Sequence, residues 1–288
     1  MTRTRLLIAV GLILVALVFL ARPAIDPSRS TGSTGVPRLD HVAIILMENK
    51  SYEEARTPPY TASLIAAGTS FSQSYAIAHP SQPNYLALWS GSTMGVSNDA
   101  CPAPGSPFTS ENLGHACEAA GLTWAAYAED LPAAGSPVCK AGLYVRKHAP
   151  WTNWSNLDHA NERPFADLDS AMANGALPNL VFIVPNQWND THDPGTNPAI
   201  GDRWLAALVP ALLQAVGPRG LVILTWDEAD LSPTNQILTV FAGSPVKRGY
   251  LSARSVSHYS VLRTITAALG LPAFGAAAVD SAITDAWR

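Results

Sequence analysis

Ser81 has the setting most suited to covalent chemistry. It lies in His79-Pro80-Ser81-Gln82-Pro83-Asn84-Tyr85, which leads into a short apolar helical pattern ending at Trp89. A hydroxyl there sits near a helix N-terminus, where free backbone N–H groups and the helix dipole favour an anion. Such a serine can receive a phosphoryl group on its oxygen while backbone donors hold the phosphate. A capping serine followed by a turn proline has the same local pattern, so the reading depends on what else converges on Ser81. No G-x-S-x-G elbow occurs in the chain, which weakens a Ser-His-Asp esterase reading.

Glu48, Asn49, Asp227 and Glu228 offer carboxylate and amide oxygens, the ligands that hard divalent cations prefer. Carboxylates gathered in one place repel unless something neutralises them, and a metal does so directly. Asn189-Asp190-Thr191-His192-Asp193 is a further polar cluster. Each cluster alone also suits a solvated turn or helix cap. The sequons at Asn49, Asn153 and Asn189 read as chance, because a glycan on Asn49 or Asn189 would block the same site.

These residues need elements to carry them. Val42–Met47 is an unbroken apolar run ending at Glu48, the pattern of a strand buried on both faces, and similar runs recur at Leu180–Val184, Leu221–Trp226 and Ile237–Ala242. Helical patterns cover Asn84–Trp89, Ser110–Ala120, Phe165–Asn174, Asp202–Val216 and Tyr259–Leu269. The alternation predicts an α/β fold, a mostly parallel central sheet flanked by helices on both faces. Ligands of such sheets bind at the carboxyl ends of the strands, and the three polar clusters all follow strands. The Pro/Gly-rich stretch Ser92–Pro150 reads as an elaborated loop region over the site.

In order, Met47-Glu48-Asn49, His79-Pro80-Ser81-Gln82-Pro83-Asn84-Tyr85, Asn189-Asp190-Thr191-His192-Asp193 with Gly201-Asp202-Arg203-Trp204-Leu205, Thr225-Trp226-Asp227-Glu228 and Ser257-His258-Tyr259-Ser260 resemble the successive motifs of the bacterial phosphoesterase family of secreted acid phosphatases and phospholipases C. The resemblance runs from about Asp40 to Leu271, and the family it points to belongs to the alkaline phosphatase superfamily. It implies a metal site and a serine or threonine nucleophile. Glu48 and Asn49 resemble one pair of metal ligands, and Asp227 and Glu228 the other. Ser81 matches the nucleophile, whose oxygen also touches the metal. Asn84 resembles the amide that holds a non-bridging phosphate oxygen. His192 and His258 look like the histidines facing the phosphate or a second metal, with Asp190 orienting or joining them. His148, in Tyr144-Val145-Arg146-Lys147-His148-Ala149-Pro150, falls with His79 and Asp190 among the substrate-binding residues. The divalent ion implied is Ca²⁺, Mg²⁺, Mn²⁺ or Zn²⁺.

On this reading a phosphate monoester is hydrolysed in two steps through a phosphoserine. The alternative is a phospholipase C that acts on a phospholipid diester with the same residues. A sulfatase fits poorly, since Ser81-Gln82-Pro83-Asn84-Tyr85 lacks the arginine of the C/S-x-P-x-R setting. A non-catalytic exported metal- or phosphate-binding protein would not need Ser81 beside both ligand pairs. Substrates expected are a small phosphate ester or a phosphoinositide or other phospholipid.

The whole chain agrees with this. Its 288 residues, 48% hydrophobic and 14% charged, suit one large globular domain. Net charge is −4 and no Lys/Arg run forms a nucleic-acid footprint, so no nucleic-acid partner is expected. Arg3 and Arg5 precede the uncharged apolar run Leu6–Ala21, the order of a signal peptide or signal anchor. Residues 1–25 are read as that signal, 26–38 as a flexible linker and 39–288 as the catalytic domain, secreted or anchored on the outer side of the membrane. If uncleaved, the N-terminal segment contacts the membrane. Of the three cysteines, Cys101 and Cys139 lie in irregular Pro/Gly-rich chain where a bridge is favoured, and Cys117 sits in a helical pattern as a buried thiol.

Overall fold

The computed structural model describes residues 34–230 and 232–288; the apolar run Leu6–Ala21 and most of the linker lie outside the described residues. In chain order the elements are β1 (His41–Met47), α1 (Tyr52–Arg56), α2 (Pro59–Ala67), β2 (Thr69–Tyr75), α3 (Ser81–Ser90), α4 (Leu113–Ala119), β3 (Trp124–Ala128), β4 (Lys140–Ala141), β5 (Tyr144–Val145), β6 (Glu162–Pro164), α5 (Ala166–Ala173), β7 (Leu180–Val184), α6 (Pro198–Val216), β8 (Gly220–Trp226), β9 (Thr239–Ala242), β10 (Tyr250–Ser257) and α7 (His258–Leu269). Eight strands form one sheet in the order β10-β2-β9-β8-β1-β7-β3-β6, and β4 and β5 form a separate hairpin. β1 lies parallel to β7 on one side and to β8 on the other. Within the eight-stranded sheet, among the described strands, only β9 runs against its neighbours, β8 and β2. The fold is the mostly parallel α/β sheet expected.

The central strands are apolar throughout because both faces are covered. Side chains alternate across the pleat, so Val42, Ile44 and Leu46 face one core while Ala43, Ile45 and Met47 face the other. The first core holds α3, α4 and α7 through Leu86, Leu88, Trp89, Leu113, Val261, Leu262 and Ile265. The second holds α6 through the stripe Leu205, Leu208, Val209, Leu212 and Val216.

Several strands escape a reading by apolar runs. β2, Thr-Ser-Phe-Ser-Gln-Ser-Tyr, is polar, yet Thr69, Ser70 and Ser74 are buried. Two of these hydroxyls are paired within the fold: Ser74 Oγ lies 2.8 Å from Thr239 Oγ1, and Thr69 Oγ1 donates to the Lys247 carbonyl at 2.8 Å. A paired buried hydroxyl costs little, which is why a polar segment can stand inside the sheet. β10 is an edge strand with alternating exposure, and β3 is a short alanine-rich run inside the stretch expected to be loop. That stretch, Ser92–Pro150, is therefore loop only in part: it also contributes α4, β3 and the β4–β5 hairpin.

Cys101 and Cys139 form a disulfide and Cys117 is buried and free. Burial pushes the Cys117 thiol up to about 12. The bridge spans 38 residues of sequence, and tying a loop of that size restricts the unfolded chain. Replacing both cysteines, Cys101→Ser with Cys139→Ser, is expected to lower the unfolding free energy by about 3 kcal/mol in a denaturant titration. Cys117 should stay inert to a thiol reagent until the protein unfolds.

Candidate active site

Parallel pairing brings the polar clusters together. Backbone bonds continue past the strand ends, with the Glu48 N–H donating to the Asp190 carbonyl at 3.1 Å and the Asp227 N–H to the Met47 carbonyl at 3.0 Å. Glu48, Asp190 and Asp227–Glu228 thus meet at one rim. Gly201 in the first turn of α6 permits the closeness: a Cβ there would lie 2.7 Å from Met47 Cε and 2.9 Å from Thr191 Cγ2.

Ser81 enters from α3, as its first residue. Pro83 is tolerated in the first turn because N–H groups there have no intrahelical partner. Pro80 provides no side-chain cap; instead the Asp99 carboxylate, from the loop before α4, accepts the Gln82 N–H at 3.0 Å. Ser81 Oγ lies 3.0 Å from Glu48 Oε2, 3.0 Å from Glu228 Oε1 and 3.5 Å from Asn49 Oδ1. Asn49, at a positive φ of 27°, donates its backbone N–H to Asp227 Oδ1 at 3.2 Å and its amide to Glu228 Oε1 at 3.3 Å. Every residue of the expected ligand set therefore lies in one cluster around Ser81.

The histidines divide into two kinds. His148 and His258 are buried. His148 stacks on Tyr85, with ring centroids 4.9 Å apart, and its ring nitrogens lie 3.1 Å from Glu48 Oε1 and 3.5 Å from Asp190 Oδ2 without hydrogen-bond geometry to either. His258 Nε2 is 2.6 Å from the Asp227 carbonyl oxygen, and its Nδ1 is unpartnered. Burial holds the His258 pKa down at about 4 and the His148 pKa well below the usual imidazole value. His79 and His192 lie at the rim. His79 Nδ1 contacts the Glu228 carboxylate, and His192 sits between Gln187 Nε2 at 3.0 Å and Lys147 Nζ at 3.4 Å. Asp190 Oδ1 accepts the His192 N–H at 2.8 Å and so sets the turn that carries the imidazole.

Asn84 occupies a different place from the one its motif implies. Its Oδ1 accepts from the Ile77 and Ala78 N–H groups at 2.9 and 3.0 Å, and its Nδ2 donates to the Ala78 and Pro80 carbonyls at 2.8 and 3.2 Å. Fully buried and with its amide committed to backbone, it clasps the 77–80 turn in front of Ser81 rather than facing a phosphate oxygen. Asn235 ties the same turn to the loop after β8, donating to the Ala78 carbonyl at 3.0 Å and accepting from the Ala229 N–H at 2.9 Å. His148, expected against substrate, is likewise enclosed by carboxylates.

Other participants escape a motif reading. Tyr85 Oη donates to Glu48 Oε1 at 2.5 Å, and Lys147 Nζ pairs with Asp99 Oδ2 at 2.8 Å. Tyr85 and Lys147 stood inside quoted motifs, but no spacing rule marks either, because their partners arrive from distant loops.

Glu48, Asp190, Asp227 and Glu228 are all buried, and burial raises the pKa of each, that of Glu48 to about 7. Tyr85, Ser81 and Lys147 pull Glu48 down and Glu228 pushes it up. Asp227 Oδ2 and Asp190 Oδ2 have no hydrogen-bond partner. Unpaired buried carboxylate oxygens beside an oxygen-rich donor set fit a divalent cation. Glu48, His148 and Asp190 alone bring ligand atoms within 4.8 Å of one another.

The fold is that of the alkaline phosphatase superfamily: a member from Vibrio parahaemolyticus superposes with a TM-score of 0.62 at 12% identity, over 82% of this chain and 68% of that one. Residues 51–272 match the model of the phosphoesterase family, so the chain belongs to that family and is a hydrolase of phosphoric ester bonds. It is similar to a phosphatidylinositol-3-phosphatase of Mycobacterium tuberculosis, at 38% identity over all of this chain and 96% of that protein. It also matches a phosphate-repressible acid phosphatase of Penicillium chrysogenum, at 30% identity over 87% of this chain and 66% of that one.

The pKa pattern predicts how stability responds to pH and metal. Carboxyl groups raised above their unfolded values stabilise the fold while protonated, and that contribution is lost as pH rises through the folded value. The depressed histidines act in the opposite direction, but only below their unfolded pKa of about 6.5. Between about pH 6.5 and 8 the carboxylates alone set the slope. In chelator, the melting temperature should fall as pH rises across that window. An added divalent cation should raise it more at pH 8 than at pH 6.5; equal gains would exclude the carboxylate cluster as the binding site.

Proposed function

We propose that this protein is an exported, divalent-metal-dependent phosphatase that hydrolyses phosphate monoesters through a phosphoserine at Ser81. The observation that carries the reading is the position of Ser81 Oγ, 3.0 Å from both Glu48 Oε2 and Glu228 Oε1 at a helix N-terminus, in a chain of the phosphoesterase family. The relatives named above are phosphatases, which favours a monoester over the phospholipase C alternative. Similarity to the mycobacterial enzyme supports a phosphoinositide monoester among the substrates.

In the first step Ser81 Oγ bonds to phosphorus while the bond to the leaving-group oxygen breaks. A serine hydroxyl is a weak nucleophile at neutral pH, and the carboxylates in contact with it orient the hydroxyl and draw off its proton. Glu48, Asn49, Asp227, Glu228 and Ser81 would hold the cation, with His148 and Asp190 next to Glu48. When bound, the cation supplies Lewis-acid stabilisation of the nucleophile and of the phosphoryl charge. Oxygen donors suit Ca²⁺, Mg²⁺ or Mn²⁺, and His148 admits Zn²⁺. His192, half-buried at the rim, gives a proton to the leaving oxygen. Burial and Lys147 lower its pKa, so its acid form grows as the medium becomes acidic, in keeping with acid-phosphatase relatives. In the second step water attacks the phosphoserine and phosphate leaves. Asn84 holds the turn that aims Ser81, and His79 holds Glu228.

Ser81→Ala is expected to remove almost all phosphomonoester turnover, by more than about 10³-fold, with little change in melting temperature. Acid-quenched wild type should carry phosphate on the Ser81 peptide by mass spectrometry. An alanine variant that retained normal turnover would end the assignment.

Export rests on the charged and apolar order of residues 1–25. Fusion of residues 1–40 to a reporter active only outside the cytoplasm should give signal, whereas a silent, wholly cytoplasmic fusion would reverse the localisation.

A further inference from the structure

Lys147 enters the reaction described above only through its effect on His192, yet its ammonium is held beside that imidazole. It lies in the turn after β5, and its side chain is only 14% exposed. Its Nζ reaches Asp99 Oδ2 at 2.8 Å and His192 Nε2 at 3.4 Å. Asp99 Oδ1 accepts from the N–H of Gln82, the residue after Ser81, so one carboxylate connects the ammonium to the N-terminus of the nucleophile's helix.

Both arms that carry this pair are fixed. Cys101, two residues past Asp99, is bonded to Cys139, which begins the β4–β5 arm leading to Lys147. Arg146 anchors the same arm, donating to the Thr152 carbonyl at 2.7 Å and the Pro137 carbonyl at 2.8 Å. The other nearby lysine, Lys50, is occupied by the Asn49 and Thr191 carbonyl oxygens, both at 3.0 Å. Lys147 differs because its partner is an anion that itself bridges a helix-terminal N–H and an ammonium. With Asp99 holding the Gln82 N–H, the ammonium is the donor left to meet an equatorial phosphoryl oxygen.

A phosphate monoester carries nearly two negative charges at neutral pH, whereas a diester carries one. A fixed ammonium in a half-buried site acts on that difference, since charge pairs strengthen as water is excluded. An ammonium has three donors; Asp99 and His192 engage two, and one is left for a phosphoryl oxygen.

We propose that Lys147, steadied by Asp99, binds a non-bridging oxygen of the dianionic phosphoryl group and is the residue that sets preference for monoesters over diesters. This rests on the proposed phosphatase reading. The test compares kcat/KM for p-nitrophenyl phosphate and bis(p-nitrophenyl) phosphate with the metal-supplemented wild type, Lys147→Met and Lys147→Arg. Loss of a charged hydrogen bond predicts a fall of about 10–100-fold for the monoester in Lys147→Met, against about threefold or less for the diester. The inhibition constant of inorganic phosphate should rise in parallel, and Lys147→Arg should keep most of the preference. If Lys147→Met leaves Asp99 unpaired and fails to fold, the double variant Lys147→Met with Asp99→Asn removes both charges and reads the same ratio. Equal losses on both esters, or an unchanged ratio, would overturn the role of Lys147 alone. A wild type that hydrolyses neither ester would overturn the phosphatase reading, and this assignment with it.

Discussion

Four carboxylates share one buried rim at the carboxyl ends of β1, β7 and β8, and much of the surrounding structure serves to make that tolerable. Glu48, Asp190, Asp227 and Glu228 are nearly inaccessible to water, where like charges repel strongly and hydration cannot compensate. The protein alone compensates in part. Tyr85 and Ser81 donate to Glu48, Asn49 donates to Asp227 and Glu228, and His79 contacts Glu228. Lys147 is the ammonium that tempers Glu48 and Asp190. What stays unpaired, Asp227 Oδ2 and Asp190 Oδ2, marks where positive charge is wanted.

The fold meets this demand by holding the donors rigidly from elements remote in sequence. α3 is buried along its whole length, so the serine at its start has little freedom. The 77–80 turn before it is fastened by Asn84 from within α3 and by Asn235 from the loop after β8. The loop that carries Asp99 and the arm that carries Lys147 are joined by the Cys101–Cys139 bridge. Rigid placement of this kind lets electrostatics act without reorganisation during the reaction.

Much of this architecture was legible in the chain. β1, β7 and β8 show as apolar runs because strands covered on both faces have no polar side, and the polar residues that follow them mark the site rim. β2 and β10 were not legible, since their serines and threonines look like loop until hydroxyl partners such as Thr239 and Asp285 are in place. β3 was hidden by its brevity and its alanines. Asn84 was misread for a related reason: a buried amide beside a serine has the same letters whether it faces a phosphate or clasps a turn.

By itself the sequence determined the parallel α/β core, the ligand-type residues at the strand ends and the serine at a helix start. These follow from local patterning, because burial on both faces selects apolar runs and strand ends must turn polar where chain meets solvent or ligand. The phosphoesterase family was legible in a different way, through the resemblance of its motifs in order. Only the tertiary structure decided which polar groups face one another. The pairing of Lys147 with Asp99, the enclosure of His148 between Glu48 and Asp190, and the commitment of Asn84 to backbone all join segments that are neighbours in space. Hydrogen-bond partners and charge environments are set by through-space distance, which spacing along a chain does not encode.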